Sequence, residues 1–286
     1  MIIIRFGFVG AGKLGVSLGK YFIENSIKVS GYCSKSESSA KDASSFTNTR
    51  YYENLEVLVS ESDTIIISTP DSEIEKVWNS LKELDIKGKL ICHCSGSISS
   101  DIFSNINNFG AYAYSIHPMI AISSKYESYK ILGRAIITIE GSPKYKYFLN
   151  TMFRNLGNEV CFISSKNKAK YHLSAVMASN LVIGLLNKSI NNLMECGFSE
   201  EKALMVITSL AQLNIKNIGS DGLEESLTGP VERGDLRTIK SHIDCMDKIS
   251  DIELYKLLSS EVLDVAIRKN NDRNYKEIED YLGERL

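Results

Sequence analysis

The chain has 286 residues, enough for two ordinary domains, and its 43% hydrophobic and 24% charged residues are the proportions of a globular protein. A formal net charge of −2 leaves no basic footprint for nucleic acid, and no run of 18 uncharged apolar residues suggests a transmembrane helix. The apolar start MIIIRFGFVG is too short for a secretory leader core and runs into glycines. With six cysteines and no CxxC pair, a cytoplasmic protein with reduced thiols and no nucleic-acid or membrane partner is expected.

Short apolar runs alternate with polar helical stretches through the first half. IIIRFGFVG reads as a strand, residues 13–25 as a helix, and KVSGYC as a second strand. SSAKDASSF is helical, TRYY a short strand, DTIIIST a buried strand, and DSEIEKVWNSLKEL a helix. KLICHC is a strand, SSDIFSNIN a helix, and AYAYSIHP, RAIITIEG and NEVCFIS three more strands. This βαβα alternation predicts a doubly wound, mostly parallel sheet of the Rossmann type over 1–165. From 166 onward only helices are predicted, beginning with one long helix over 166–195 and continuing with 199–218, 235–246 and 251–270. The expected architecture is an α/β dinucleotide-binding domain at 1–165 followed by an all-α domain at 166–286.

Gly10-Ala11-Gly12-Lys13-Leu14-Gly15 fits G-x-G-x-x-G, between the first strand and the first helix. Glycines there allow a tight turn and close approach of backbone to a pyrophosphate, and the helix N-terminus supplies N–H donors. The nearly matching NTPase loop, Gly7 to Lys13, fails because Leu14 stands where a magnesium-binding hydroxyl is needed. The second strand ends in Ser34 and Lys35 where an NAD site places an acid, so a ribose 2′-phosphate and hence NADP(H) is favoured over NAD, although Glu37 is close by. Ser68, Thr69 and Pro70, after a later strand, are candidates to line the cofactor, with Asp71 or Ser72 as helix caps. Ser95 ends the next strand, toward the nicotinamide. Cys92-His93-Cys94 alternates faces along a strand, and no metal site is expected.

HCSGS (93–97), YSIHPM (114–119), YHLSAVMASN (171–180) and LTGPVERGD (227–235) together resemble the Rossmann-like and DUF2520 proteins, within the 6-phosphogluconate dehydrogenase-like superfamily. The resemblance covers nearly the whole chain. It implies an NADP-dependent oxidoreductase, hydride transfer at a cleft between the domains, and a homodimer. Some such proteins are an alternative class of ketopantoate reductase in pantothenate synthesis, while other superfamily members reduce imines, as pyrroline-5-carboxylate reductase does. NADPH-dependent reduction of a small 2-oxo acid, with ketopantoate first, is the leading expectation. Imine reduction and a non-catalytic NADP(H) sensor are the alternatives.

Superfamily members carry Lys-x-x-x-Asn on the long helix. Asn180 fits the asparagine, but Val176 stands in place of the lysine. His172 is the candidate proton donor, because imidazole titrates near neutrality. On one continuous helix it would lie about 80° around and about 12 Å along from Asn180. Asn180 and Ser179 sit in an apolar run and are expected to be buried. His117, placed before Pro118 after a strand, is a second donor candidate. Ser95, Ser179, Thr228, Arg233 and Asp235 are the candidates to bind substrate: Arg233 could clamp a carboxylate, and Asp235 could instead cap a helix.

Overall fold

The computed structural model describes residues 4–283. Its sheet has eight strands: β1 (Arg5–Val9), β2 (Lys28–Cys33), β3 (Arg50–Tyr51), β4 (Thr64–Ile67), β5 (Leu90–His93), β6 (Tyr112–Met119), β7 (Ile136–Gly141) and β8 (Val160–Phe162), in the order 3-2-1-4-5-6-7-8. All neighbours run parallel except β6 and β7. The doubly wound, mostly parallel sheet expected from the sequence is present, and helices alone follow it.

Side-chain alternation buries both faces, as a covered parallel sheet requires. Phe6, Phe8, Ile66, Leu90 and Cys92 belong to one core with Phe22 and Tyr114; Ile65, Ile67 and Ile91 belong to the other with Trp78 and Phe103. Cys94 lies with Cys92, while His93 turns toward Phe103, 5.4 Å between ring centroids.

The crossovers include α1 (Lys13–Glu24), α2 (Glu37–Thr47), α3 (Leu55–Ser60), α4 (Asp71–Leu81) and α5 (Lys146–Asn155). Helices α3 and α5 were not anticipated: α3 has six residues, and α5 hides two buried residues, Leu149 and Phe153, in a polar stretch. The helix expected over 99–107 is instead two 3-10 turns, Ser100–Ile102 and Ile106–Phe109. The buried Glu140 carboxylate accepts from the Ser100 backbone at 2.7 Å and from its hydroxyl at 2.8 Å, and Asn105 is left-handed at φ 59°. Both features stop an α-helix from propagating.

The remaining helices are α6 (Lys168–Ala178), α7 (Asn180–Glu195), α8 (Glu200–Ser226), α9 (Pro230–Arg233), α10 (Leu236–Asp244), α11 (Ile249–Lys269) and α12 (Lys276–Gly283). The single helix expected over 166–195 is broken: Ser179 leaves helical geometry at φ −126°, ψ −79°. The chain divides into two compact units, one ending at Leu181 and one starting at Val182. Helix α6 therefore belongs to the unit that holds the sheet. The second unit has its own core of Val231, Ile239, Ile243, Leu263, Ala266, Tyr275, Ile278 and Leu282.

The stretch Ser165–Glu195 reaches a mean hydropathy of 1.4, apolar enough by length and composition to cross a bilayer. The break at Ser179 splits it into helices of 11 and 16 residues, each short of the roughly 20 that a bilayer takes.

Candidate active site

The glycine loop joins β1 to α1. Gly10 has φ +103°, and a Cβ there would press on the Ser68 and Thr69 backbone at 3.0 Å; its N–H donates to Cys33 at 2.8 Å. Ser68 fills the space under the loop, donating to the Gly10 carbonyl at 3.1 Å, and a Cβ on Gly15 would overlap its hydroxyl. Ala11 is buried, while Gly12 and Lys13 are exposed and Leu14 half-buried. Gly12 is the N-cap of α1 and provides no side-chain cap, so the first N–H groups of the helix have no side-chain partner there. A Cβ on Gly12 would meet nothing closer than the Ser68 carbonyl at 3.9 Å. Thr69 beside it carries a buried hydroxyl with no partner. An uncapped helix start, an open cradle and an orphaned hydroxyl fit a dinucleotide pyrophosphate.

At the end of β2, Ser34 is half-buried and Lys35 exposed. Lys35 pairs with Glu73 in the first turn of α4, and Glu73 also holds Lys76 at 2.6 Å. The two lysines bring the Glu73 carboxyl down to about 2. Glu37, whose proximity complicated the cofactor reading, pairs with Lys41 instead.

Beyond β4, Pro70 is the N-cap of α4, which frees the Asp71 carboxylate to accept from Ser95 at 2.8 Å and Ser97 at 2.9 Å. Neither Asp71 nor Ser72 is the cap. The Ser95 hydroxyl also accepts from the Ile98 and Ser97 N–H groups at 3.0 and 3.2 Å. It is fully engaged inside the chain, whereas the sequence suggested it for substrate and cofactor.

Helix α6 crosses this end of the sheet. Lys168 is 3% exposed; its ammonium donates to the Ser95 carbonyl at 2.9 Å and the Ser115 hydroxyl at 2.8 Å. Burial brings this amine down to about 8, against the opposing pull of Glu140 and Asp71. His172, four residues on, lies on the same helix face. A Cβ on Gly96 would stand 2.9 Å from His172 Cδ2 and 3.1 Å from His117 Nε2, so both imidazoles converge on a position only glycine leaves open.

His117 does not follow a strand: β6 runs on to Met119, and His117 sits within it, directly opposite Thr138 on β7. The Tyr171 hydroxyl lies 2.7 Å from His117 Nδ1 and 2.7 Å from Thr138 Oγ1. Burial, with help from Lys168 and His172, brings the His117 imidazole down to about 4.

The first unit thus gathers His117 and His172, as the sequence suggested, with Lys168, Tyr171 and Thr138, which it did not single out, and Asp71, which it suggested only as a helix cap. The i,i+4 pair Lys168–His172 was the available signal. Ser179 and Asn180 are exposed, contrary to the burial expected of them; the helix break leaves Ser179 in a turn, its hydroxyl donating to Ala175 at 2.7 Å, and Asn180 at the start of α7. The geometry computed for a continuous helix between His172 and Asn180 does not apply.

In the second unit, Asp235 caps α10, accepting from the Thr238 N–H at 3.0 Å and its hydroxyl at 2.7 Å. Arg233 is exposed, and its guanidinium makes no hydrogen bond or ion pair among the described residues. Thr228 lines a separate cavity of about 650 Å³ with Lys188, His242 and Tyr255.

Residues 2–118 match the Rossmann-like domain family, and residues 135–262 match DUF2520, a domain of unknown function. The chain joins a Rossmann-like domain to a DUF2520 domain. The DUF2520 match begins at β7 and includes α6, so Thr138, Lys168, Tyr171 and His172 are DUF2520 residues, while His117 closes the Rossmann-like match. Among solved structures, protein TM1727 from Thermotoga maritima is similar at 26% identity, covering 93% of this chain and 99% of its own, with a TM-score of 0.74. A candidate NADP oxidoreductase from Bacteroides fragilis is 21% identical, with coverage of 91% and 98% and a TM-score of 0.69. A 1-pyrroline-5-carboxylate reductase from Streptococcus pyogenes is 15% identical, with coverage of 92% and 98% and a TM-score of 0.65. The fold is that of the NADP(H)-dependent oxidoreductases. No relative is found by sequence among curated proteins.

Proposed function

We propose that the protein is an NADPH-dependent reductase of a small organic substrate. The observation that carries this reading is one sheet end holding both a pyrophosphate cradle at Gly10–Gly15 and a donor cluster of buried Lys168 with half-buried His117 and His172. Bound NADPH supplies the hydride. Gly12 and the first turn of α1 would hold its pyrophosphate, Thr69 would line it, and Ser34 with Lys35 would meet the 2′-phosphate. Lys168 keeps a positive charge where negative charge develops on the reduced substrate.

Reduction of a C=N bond, the activity named for the Streptococcus pyogenes relative, has better support among the solved structures than reduction of ketopantoate. One observation favours the 2-oxo acid as a second reading. A buried ammonium at Ser95 and Ser115 repels a protonated imine and attracts a carbonyl oxygen or a carboxylate. The exposed apolar faces of α7 and α8 support a homodimer: α7 buries no residue and α8 only Ala203.

The test is NADPH oxidation followed at 340 nm, with ketopantoate and pyrroline-5-carboxylate in parallel and NADH as control. Turnover on either substrate supports the reductase reading and selects its class. NADPH binding without turnover on a broad set of oxo acids and imines moves the reading to a cofactor sensor.

A further inference from the structure

The order of protons along Thr138, Tyr171 and His117 follows from counting donors. The Tyr171 hydroxyl has one proton and lies 2.7 Å from both His117 Nδ1 and Thr138 Oγ1. If His117 carried its proton on Nδ1, it would donate to Tyr171, Tyr171 would donate to Thr138, and the Thr138 proton would be left over. Thr138 is 3% exposed, and its hydroxyl has no other partner among the described residues. A buried hydroxyl proton without an acceptor is costly to hold. In the opposite order Thr138 donates to Tyr171, Tyr171 donates to Nδ1, and no hydroxyl proton is left over. The imidazole proton then sits on Nε2, the ring atom that packs beside Gly96.

We propose that Tyr171, with Thr138 donating to it, is a positioning residue that holds the His117 proton on Nε2, at the ring edge beside Gly96 and His172, from which it donates to the acceptor atom of the substrate. The assignment rests on the reductase reading and narrows it. A fixed N–H requires a lone pair opposite, which a carbonyl oxygen has and a protonated imine lacks. With Lys168 charged nearby, this donor selects a carbonyl. No proton leaves His117 in this role: the imidazole orients the acceptor, its hydrogen bond would strengthen as hydride from NADPH reaches the adjacent carbon, and the alkoxide so formed would take its proton from water.

The chain has only four histidines, so two-bond nitrogen–proton NMR can resolve each tautomer in the full-length protein without substrate. The wild type is expected to show His117 as the Nε2–H form at pH 7, and Thr138→Val to keep it, since the Tyr171 proton then has only Nδ1 to go to. Tyr171→Phe should admit the Nδ1–H form, since nothing then donates to Nδ1. Tyr171→Phe should lower kcat on a carbonyl substrate about tenfold, with NADPH affinity unchanged. An Nδ1–H form in the wild type, or a Tyr171→Phe tautomer pattern identical to it, overturns the assignment. NADPH titration of the same samples tests the cofactor reading separately: failure to bind removes the reductase, whereas binding with the wrong tautomer removes only the role of Tyr171 and Thr138.

Discussion

The ammonium of Lys168 donates to the Ser115 hydroxyl at 2.8 Å, and that hydroxyl passes its own proton to the Ser95 carbonyl at 3.2 Å. Removing the amine therefore strands neither partner, because the Ser115–Ser95 bond remains. A buried charge without a carboxylate in contact is costly to hold. Lys168→Met is expected to leave the melting temperature unchanged or raised, by up to about 2 kcal/mol of stability, while turnover falls at least about tenfold. The same amine sets an alkaline limb. Its folded value of about 8 lies below the usual 10.5, so the cost of burying the charge is present below pH 8 and fades as pH rises. Activity that needs the ammonium should fall as pH passes about 8, and Lys168→Met should lose that limb. A pH–rate profile beside a thermal melt separates the two effects.

Two other bases, buried His93 and half-buried His117, make the sheet unit sensitive to acid. Burial brings both His93 and His117 down to about 4, well below the ordinary 6.5. Above about pH 6.5 both states of the protein hold them neutral. As pH falls toward 4, the unfolded chain takes up protons that the folded chain refuses, and stability is lost. Unfolding at pH 5 should therefore take up about two protons beyond the other groups, a slope of about 2 kcal/mol per pH unit. Calorimetry in buffers of different ionisation enthalpy measures the uptake, and His117→Gln should roughly halve it.

The strands were legible because each carries its own signal. Buried runs such as Thr64–Ile67 and the glycine punctuation at Gly10 speak locally. The candidate site was only half legible. His117 and His172 stand out as rare residues, but Thr138 becomes relevant only through the β6–β7 register that sets it opposite His117. Lys168 looked like one of several lysines in KNKAKYH; its burial depends on where α6 lands. Asn180 misled for the converse reason. Its apolar neighbours suggested a core, yet those apolar residues are exposed, as are Ser179 and Asn180 at the helix break.

Cofactor choice turns on Lys35 and its partner Glu73. Glu73 is shared between Lys35 and Lys76, so it competes with a 2′-phosphate for Lys35. Lys35→Glu is expected to weaken NADPH about tenfold while changing NADH little. Glu73→Gln should tighten NADPH a few-fold, with NADH again unmoved. Fluorescence titration of both nucleotides checks the pair. Equal effects of Lys35→Glu on the two would remove this lysine from the phosphate site.

Gly96→Ala isolates the imidazole pair from the cofactor. The added carbon would stand 2.9 Å from His172 and 3.1 Å from His117, so both rings must shift by tenths of an ångström or more. The cradle at Gly10–Gly15 is untouched. Turnover should fall on the order of a hundredfold with NADPH affinity intact. Wild-type kinetics in this variant would show that neither ring is near the reacting atoms.

Helices α7 and α8 are too apolar to stand in water alone. Ile183 is 68% exposed, Met205 64%, Leu210 62% and Leu213 57%, and no segment among the described residues covers them. Burying each such side chain is worth about 1.5–3 kcal/mol, so a second copy laid against them would be held firmly. The protein is expected to run as a dimer in light scattering at micromolar concentration. The double variant Leu210→Glu with Leu213→Glu should shift it to monomer, while the sheet unit keeps its NADPH affinity. Ser165–Glu195 offers the competing outcome, since its composition alone also suits a bilayer. A wild type that is monomeric in buffer and floats with phosphatidylcholine vesicles would assign this apolar surface to lipid instead of to a partner subunit.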